Sequence, residues 1–381
     1  MKTMSYFVIL AVLTACAKTV DYPSTKEPSL DSVIQDFQDQ LQADLEDDNI
    51  LGSVSAAIIK GENIIWSKAF GVLDRSSGMK ADSSTIYRVG SITKSFTAML
   101  MMQLEAEGLL DIDEPVEQYL PEVKAIKGYS DSTKISFRQL AAHTAGLERE
   151  PKWEDAYTGP IHDWEKKVLA CIPKTAFQSK PGEKYSYSNI GYGMLGLALS
   201  RVAGKSYTDL IKEWIFEPLG MNNSYFVVPS DKLDNLARGM EGGPFGELNL
   251  DTPEEEHKGR GYKVPNGAIY STPHDLARFL MASMGYYDIL EDAKLQSMQE
   301  PVLVEDESWW QNYGLGYRLL RDTIISTAGH TGAVSGYTAN FMFEREHEYG
   351  VVIMRNYNWG MTNVDLRAFA LLRRLKRLDI E

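Results

Sequence analysis

Ile34, Phe37, Leu41 and Leu45 recur three and four positions apart, which predicts an amphipathic helix over residues 31 to 47. The pattern then changes: residues 54 to 59 and 64 to 70 are apolar runs flanking Lys60-Gly61-Glu62-Asn63, the signature of a hairpin. Helical spacing returns at Ile92, Phe96, Met99, Leu100 and Leu104, with Gly108 as the stop. A further helix opens at Ser136, with Gln139 placed to complete a capping box, and runs to about Gly146. Residues 190 to 217 read as helix and residues 229 to 263 as a long, Gly-rich, acidic excursion. Thr272 as cap and Pro273 at the first position restart a helix. Beyond residue 323, Tyr337, Ala339, Phe341 and Phe343 alternate and residues 351 to 354 are continuously apolar, as in strands of one sheet. A closing helix places Val364, Ala368, Leu371, Leu375 and Leu378 on one face, with its basic residues 373, 374, 376 and 377 on a solvated face. Strands at both chain ends and helices between them predict a mixed α/β fold. An antiparallel sheet flanked by helices is built from about 31–90 and 264–378, and a mostly helical lobe from about 91–263 is inserted into it.

Composition narrows the role. With 381 residues, 44% of them hydrophobic, the chain can bury a large core, and a net charge of -14 opposes phosphate backbones, so nucleic acid is excluded as a partner. Residues 1–15 carry one charge, Lys2, and a short apolar run at residues 7 to 13, which reads as a signal peptide. Leu13-Thr14-Ala15-Cys16 resembles the lipobox of bacterial lipoproteins, so Cys16 is the expected lipidation site, residues 16–30 a tether, and the bacterial cell envelope the expected location. Cys171 then has no partner for a disulfide within the folded body and reads as a buried small hydrophobe.

The candidate chemistry begins at Ser91-Ile92-Thr93-Lys94. A serine hydroxyl needs a base within hydrogen-bond reach, and a lysine three residues on along a helix shares its face. The spacing alone is weak, because Ser77 and Lys80 repeat it in a turn-like stretch. Only Ser91 follows a strand-like approach and a Gly90 hinge and opens a helix, whose free amides suit an oxyanion. Tyr187-Ser188-Asn189 precedes a helix, and Gly329-His330-Thr331-Gly332-Ala333 lies at the edge of the predicted sheet, where two glycines permit close backbone approach; each alone reads as a turn. His143 falls in the predicted last helical turn and reads as a helix-end cap, and Trp309-Trp310 reads as packing. The histidines lack zinc-site spacing, so no metal or other cofactor is expected, and no Gly-x-Ser-x-Gly elbow occurs.

The three motifs in this order resemble the superfamily of class C β-lactamases, serine DD-peptidases, D-aminopeptidases and related esterases. The likeness extends to Leu110-Asp111-Ile112-Asp113-Glu114-Pro115-Val116, Tyr119-Leu120-Pro121-Glu122, His143-Thr144-Ala145-Gly146-Leu147, Pro218-Leu219-Gly220-Met221 and Tyr313-Gly314-Leu315-Gly316-Tyr317. It implies a β-lactamase/transpeptidase-like fold, with Ser91 as nucleophile, Lys94 as its base and Tyr187 as proton relay. Asn189, His330, Thr331 and Gly332 would bind substrate, and the backbone amides of Ser91 and Ala333 would form the oxyanion hole. The β-lactamases carry lysine where this chain has His330, which is mostly neutral at pH 7. The expected activity is therefore an acyl-enzyme serine hydrolase on a small-molecule or peptide substrate, DD-peptidase-like or esterase-like. A class C-like β-lactamase and a non-catalytic, lipid-anchored cell-wall or peptide-binding module are the alternatives.

Overall fold

The computed structural model describes residues 28–242, 247–302, 311–360 and 362–379. The signal-peptide and lipidation expectations at residues 1–16, most of the tether, and Trp309-Trp310 lie outside these residues. Among them, no helix is long and apolar enough to cross a membrane.

An eight-stranded antiparallel sheet joins the two ends of the chain. Its strands in chain order are β1 (Ser53–Lys60), β2 (Asn63–Asp74), β3 (Met79–Lys80), β4 (Gln311–Tyr313), β5 (Arg318–Arg321), β6 (Ser326–Val334), β7 (Tyr337–Glu344) and β8 (Tyr349–Arg355). Across the sheet they run β3-β2-β1-β8-β7-β6-β5-β4, so the join between the ends is the pairing of β1 with β8. The continuous apolar runs follow from burial on both faces. In β1, Ala57 and Ile59 point into one hydrophobic cluster while Val54, Ala56 and Ile58 point into another. In β8, Val352 and Met354 separate from Val351 and Ile353 in the same way.

On one face lie α1 (Leu30–Asp47), started by a Ser29–Ser32 capping box, and the closing helix, Val364–Leu378. The basic run of the closing helix is not simply solvated: Arg373, Arg374 and Lys376 pair with Asp322, Asp36 and Glu346. The other face carries Pro273–Met284, whose Phe279 sits 5.8 Å from Phe341 of β7, and beyond it the inserted helical part. At the centre of that part is α2 (Thr93–Ala106), buried all round from Thr93 to Leu104, with Lys94, Ser95, Thr97 and Gln103 among the buried side chains.

Several boundaries differ from the sequence reading. Ser91 sits on a 3-10 turn, Gly90–Ile92, before α2 proper. The helix opened by the Ser136–Gln139 capping box stops at Ala141, short of Gly146. Residues 190 to 217 are not one helix: α3 (Asn189–Ala203) ends at Gly204 in the left-handed conformation, and a new helix starts at the Ser206 cap. The 229–263 excursion contains a helix, Asp251–His257, and residues 264 to 267 pack on α2 and α3, so the helical part extends past residue 263. Cys171 is buried, as expected, and burial pushes its thiol up to about 12.

Candidate active site

The Gly90–Ile92 turn presents Ser91 at the surface of the insert while the helix behind it is buried from Thr93 to Leu104. Ser91 stays partly exposed and Lys94 is 0% exposed, with its Nζ 3.1 Å from Ser91 Oγ. Ser77 and Lys80, which share the spacing, are both exposed near the tip of the β2–β3 hairpin. Lys94 Nζ also lies 3.2 Å from the carbonyl of Asn266. That carbonyl is held in place by polar stitches between α2 and residues 265 to 269: Thr97 Oγ1 donates to Pro265 O at 2.6 Å, and Ile269 N to Thr93 Oγ1 at 3.3 Å.

No carboxylate hydrogen-bonds or ion-pairs with Lys94 among the described residues. Burial, followed by the charges of Lys263 and Arg149, holds its amine well below the usual lysine range, and only Glu150 acts the other way to any extent. Tyr187 moves oppositely: burial raises its phenol to about 12, against the pull of the Ser91 hydroxyl. The Lys94 ammonium position is 4.8 Å from the Tyr187 ring centre. Thus an amine pushed toward its neutral form and a phenol pushed toward its protonated form flank one serine, the two shifts set by environment.

The Tyr187 loop is pinned by Ser188 and His143. Ser188 caps α3 by accepting from Gly191 N, and its own N–H donates to His143 Nδ1 at 3.0 Å. His143 is therefore not a cap on helix carbonyls, which corrects the sequence reading. It sits beyond the helix end at φ 60, fully buried, with its ring 4.1 Å from that of Tyr187. Burial, with Lys94 next, keeps it neutral, and as Nδ1 accepts, the proton is on Nε2.

Asn189 opens α3, and its Nδ2 donates to Glu150 Oε1 at 2.7 Å while Oδ1 is buried without a partner among the described residues. Glu150 also accepts from the Tyr262 hydroxyl and pairs with Lys263 at 3.3 Å. Asn266 Nδ2 donates to Asn189 O at 2.9 Å, linking the second motif to the Lys94 carbonyl contact. Arg149, Glu150, Lys263 and Asn266 were invisible to motif reasoning, because they come from two segments more than a hundred residues apart that meet only on folding.

The third motif lies within β6, not at a strand-end turn. From His330 onward β6 pairs with β7 alone, since β5 stops opposite Gly329, so one edge of this stretch is locally open. His330 is in the wall but only 3% exposed and has both nitrogens engaged: Nδ1 donates to Thr331 O at 2.7 Å, and Nε2 accepts from the Tyr313 hydroxyl at 3.0 Å. Burial, then Lys94, holds it well below the usual histidine value, so it brings no charge to the cleft. The Thr331 hydroxyl is likewise engaged, accepting from Arg318 at 2.6 Å and donating to Asp365 of the closing helix.

Gly332 does what its residue type suggests. A Cβ there would sit 1.8 Å from Val89 O, and a Cβ on Gly90 would sit 3.1 Å from Ala333 N. Two facing glycines thus let β6 close onto the Ser91 turn and bring the Ala333 and Ser91 amides to one place. Gly332→Ala is expected to destabilise the protein by about 1–3 kcal/mol through backbone overlap and to slow serine labelling. Thermal melts and probe kinetics on the purified variant check this; a variant with wild-type values in both would mean the approach is looser than described.

Comparison with known proteins agrees with this architecture. The Beta-lactamase family model matches residues 30–375. Beta-lactamase-like protein 2 of Dictyostelium discoideum is 27% identical over 364 residues, spanning 91% of this chain and 64% of that relative. The chain thus covers just under two thirds of that relative's length. Among solved structures, the octameric penicillin-binding protein homologue from Pyrococcus abyssi superposes with a TM-score of 0.75 at 24% identity, over 91% of this chain and 77% of that one. A class C β-lactamase gives a TM-score of 0.75 at 23% identity, over 92% and 98%. With its matched length, its sheet joined from both chain ends and its inserted helical part, the chain belongs to the Beta-lactamase family.

Proposed function

We propose that the protein is a serine acyl hydrolase that forms an ester on Ser91 from a peptide or carboxylic ester substrate. The observation that carries this is Lys94: fully buried, with its amine 3.1 Å from Ser91 Oγ and held toward the neutral form. In this reading, Ser91 Oγ attacks the substrate carbonyl as its proton passes to Lys94 Nζ. The tetrahedral oxyanion accepts from the Ser91 and Ala333 backbone amides. Collapse breaks the bond to the leaving group, which takes the Tyr187 phenol proton, and Tyr187 recovers a proton from Lys94. Water then attacks the ester, its proton passing to the same relay, and Ser91 is released with its hydroxyl restored.

Neutral, saturated His330 supports a peptidase or esterase over a class C-like β-lactamase, because it supplies no cation for a carboxylate at the third motif. A fluorophosphonate probe followed by peptide mass spectrometry, with turnover of D-alanyl peptides, p-nitrophenyl esters and nitrocefin, tests the reading. Modification of Ser91 and hydrolysis of a peptide or ester are expected; an unmodified Ser91 in folded protein would overturn it, and efficient nitrocefin turnover would reinstate the β-lactamase. We also propose that lipid on Cys16 holds the chain on the cell envelope, which the sequence Leu13-Thr14-Ala15-Cys16 supports.

A further inference from the structure

Several cations surround the cleft, and almost all of them are already neutralised. Lys263 pairs with Glu150 at 3.3 Å, Arg260 with Glu256 at 3.4 Å and Arg318 with Asp365 at 2.7 Å. Lys94, His143 and His330 are each held toward the neutral form by burial. Arg149 is different. Its side chain is exposed, its guanidinium lies 4.9 Å from the centre of the Tyr187 ring, and among the described residues no carboxylate pairs with it. The adjacent Glu150 is occupied by Asn189, Tyr262 and Lys263. The charge of Arg149 is nevertheless felt by Lys94, His143, Tyr185 and Tyr187, which places it over the reacting groups and not on a remote surface.

We propose that Arg149 anchors a carboxylate on the leaving-group part of the substrate, supplying from the second-motif wall the charge that His330 does not supply from the third. This rests on the acyl-hydrolase reading, in which Tyr187 protonates the leaving group. A group beside Tyr187 therefore meets the released portion of the substrate and not the acyl portion. A guanidinium is well suited to this role, because its planar fork matches a carboxylate bidentately, and stacking on an aromatic ring pre-orients it while leaving its N–H edges free. The substrate class that follows is a peptide or depsipeptide whose released residue ends in a free carboxylate.

The test uses two thioesters with the same N-acyl-D-alanyl group, one releasing mercaptoacetate and the other mercaptoacetamide. Comparing the ratio of their kcat/KM values between wild type and Arg149→Gln cancels the differing acidity of the two thiols. The ratio is expected to fall about tenfold in the variant, carried by KM for the carboxylate substrate. A ratio that does not change overturns the proposal, as does an equal loss on both substrates with a displaced pH profile, which would mean that Arg149 acts only on Lys94 and Tyr187. Failure of the hydrolase reading is separately visible as no turnover of either thioester and an unlabelled Ser91. In that event, calorimetric binding of N-acetyl-D-alanyl-D-alanine and its carboxamide to Ser91→Ala protein, with and without Arg149→Gln, decides. A preference for the acid that Arg149→Gln removes supports the anchor; no preference, or one that survives, overturns it.

Discussion

Ser91→Ala is expected to lose covalent labelling entirely and to lower acyl transfer by about 10⁴-fold or more, the scale on which removal of a nucleophile acts. The fold is expected to survive. Ser91 is partly exposed on a short turn, and its removal leaves Lys94 Nζ its contact with Asn266 O. Circular dichroism and a thermal melt alongside the kinetics separate the two effects. Because the oxyanion amides are backbone groups, some residual activity above solvent is expected on the most activated esters. Turnover at the wild-type rate would mean that the reaction does not pass through this serine and runs at another centre.

Lys94→Arg is expected to cost about 10²–10⁴-fold in kcat/KM, because a guanidinium stays protonated near neutral pH and cannot take the serine proton. Lys94→Met is the companion. It removes the base but puts an apolar chain of similar length where the protein fully buries an amine, so activity falls while the melting temperature holds or rises. The sign of the pH dependence follows from the lowered amine pKa. The competent form is unprotonated, so kcat/KM of the wild type rises with pH, and its midpoint lies below the ordinary lysine value of about 10.4. Activity is lost as pH falls through that midpoint. A wild-type rate with no loss on acidification anywhere in the pH range where the protein stays folded, or wild-type rates in Lys94→Arg, would remove lysine from the role of base.

Much of this was legible from the chain because it depends on neighbours in sequence. Spacing of three residues puts Ser91 and Lys94 on one face whatever surrounds them, and Ser188 caps the helix that begins at Asn189 through a bond to Gly191. Period-two alternation in Tyr337, Ala339, Phe341 and Phe343 likewise named the face that meets the helices. Where local signals failed, a distant segment had intervened. His143 read as a cap but is held by Ser188, 45 positions away, and no local signal announced the bonds that tie His330 and Thr331 to Tyr313, Arg318 and Asp365.

By itself, then, the sequence determined the elements, the order of the motifs and which serine opens a helix, since φ/ψ preferences, caps and hydrophobic period act within a few residues. Tertiary structure alone decided the chemical state of those groups. The same Ser-x-x-Lys spacing at Ser77 and Lys80 stays exposed, whereas Lys94 is sealed by residues 265 to 269 and surrounded by Lys263, Arg149 and Arg260. Desolvation and Coulomb forces act through space, so the lowered lysine amine, the guanidinium of Arg149 over Tyr187 and the lowered His330 exist only once segments far apart in the chain are packed together.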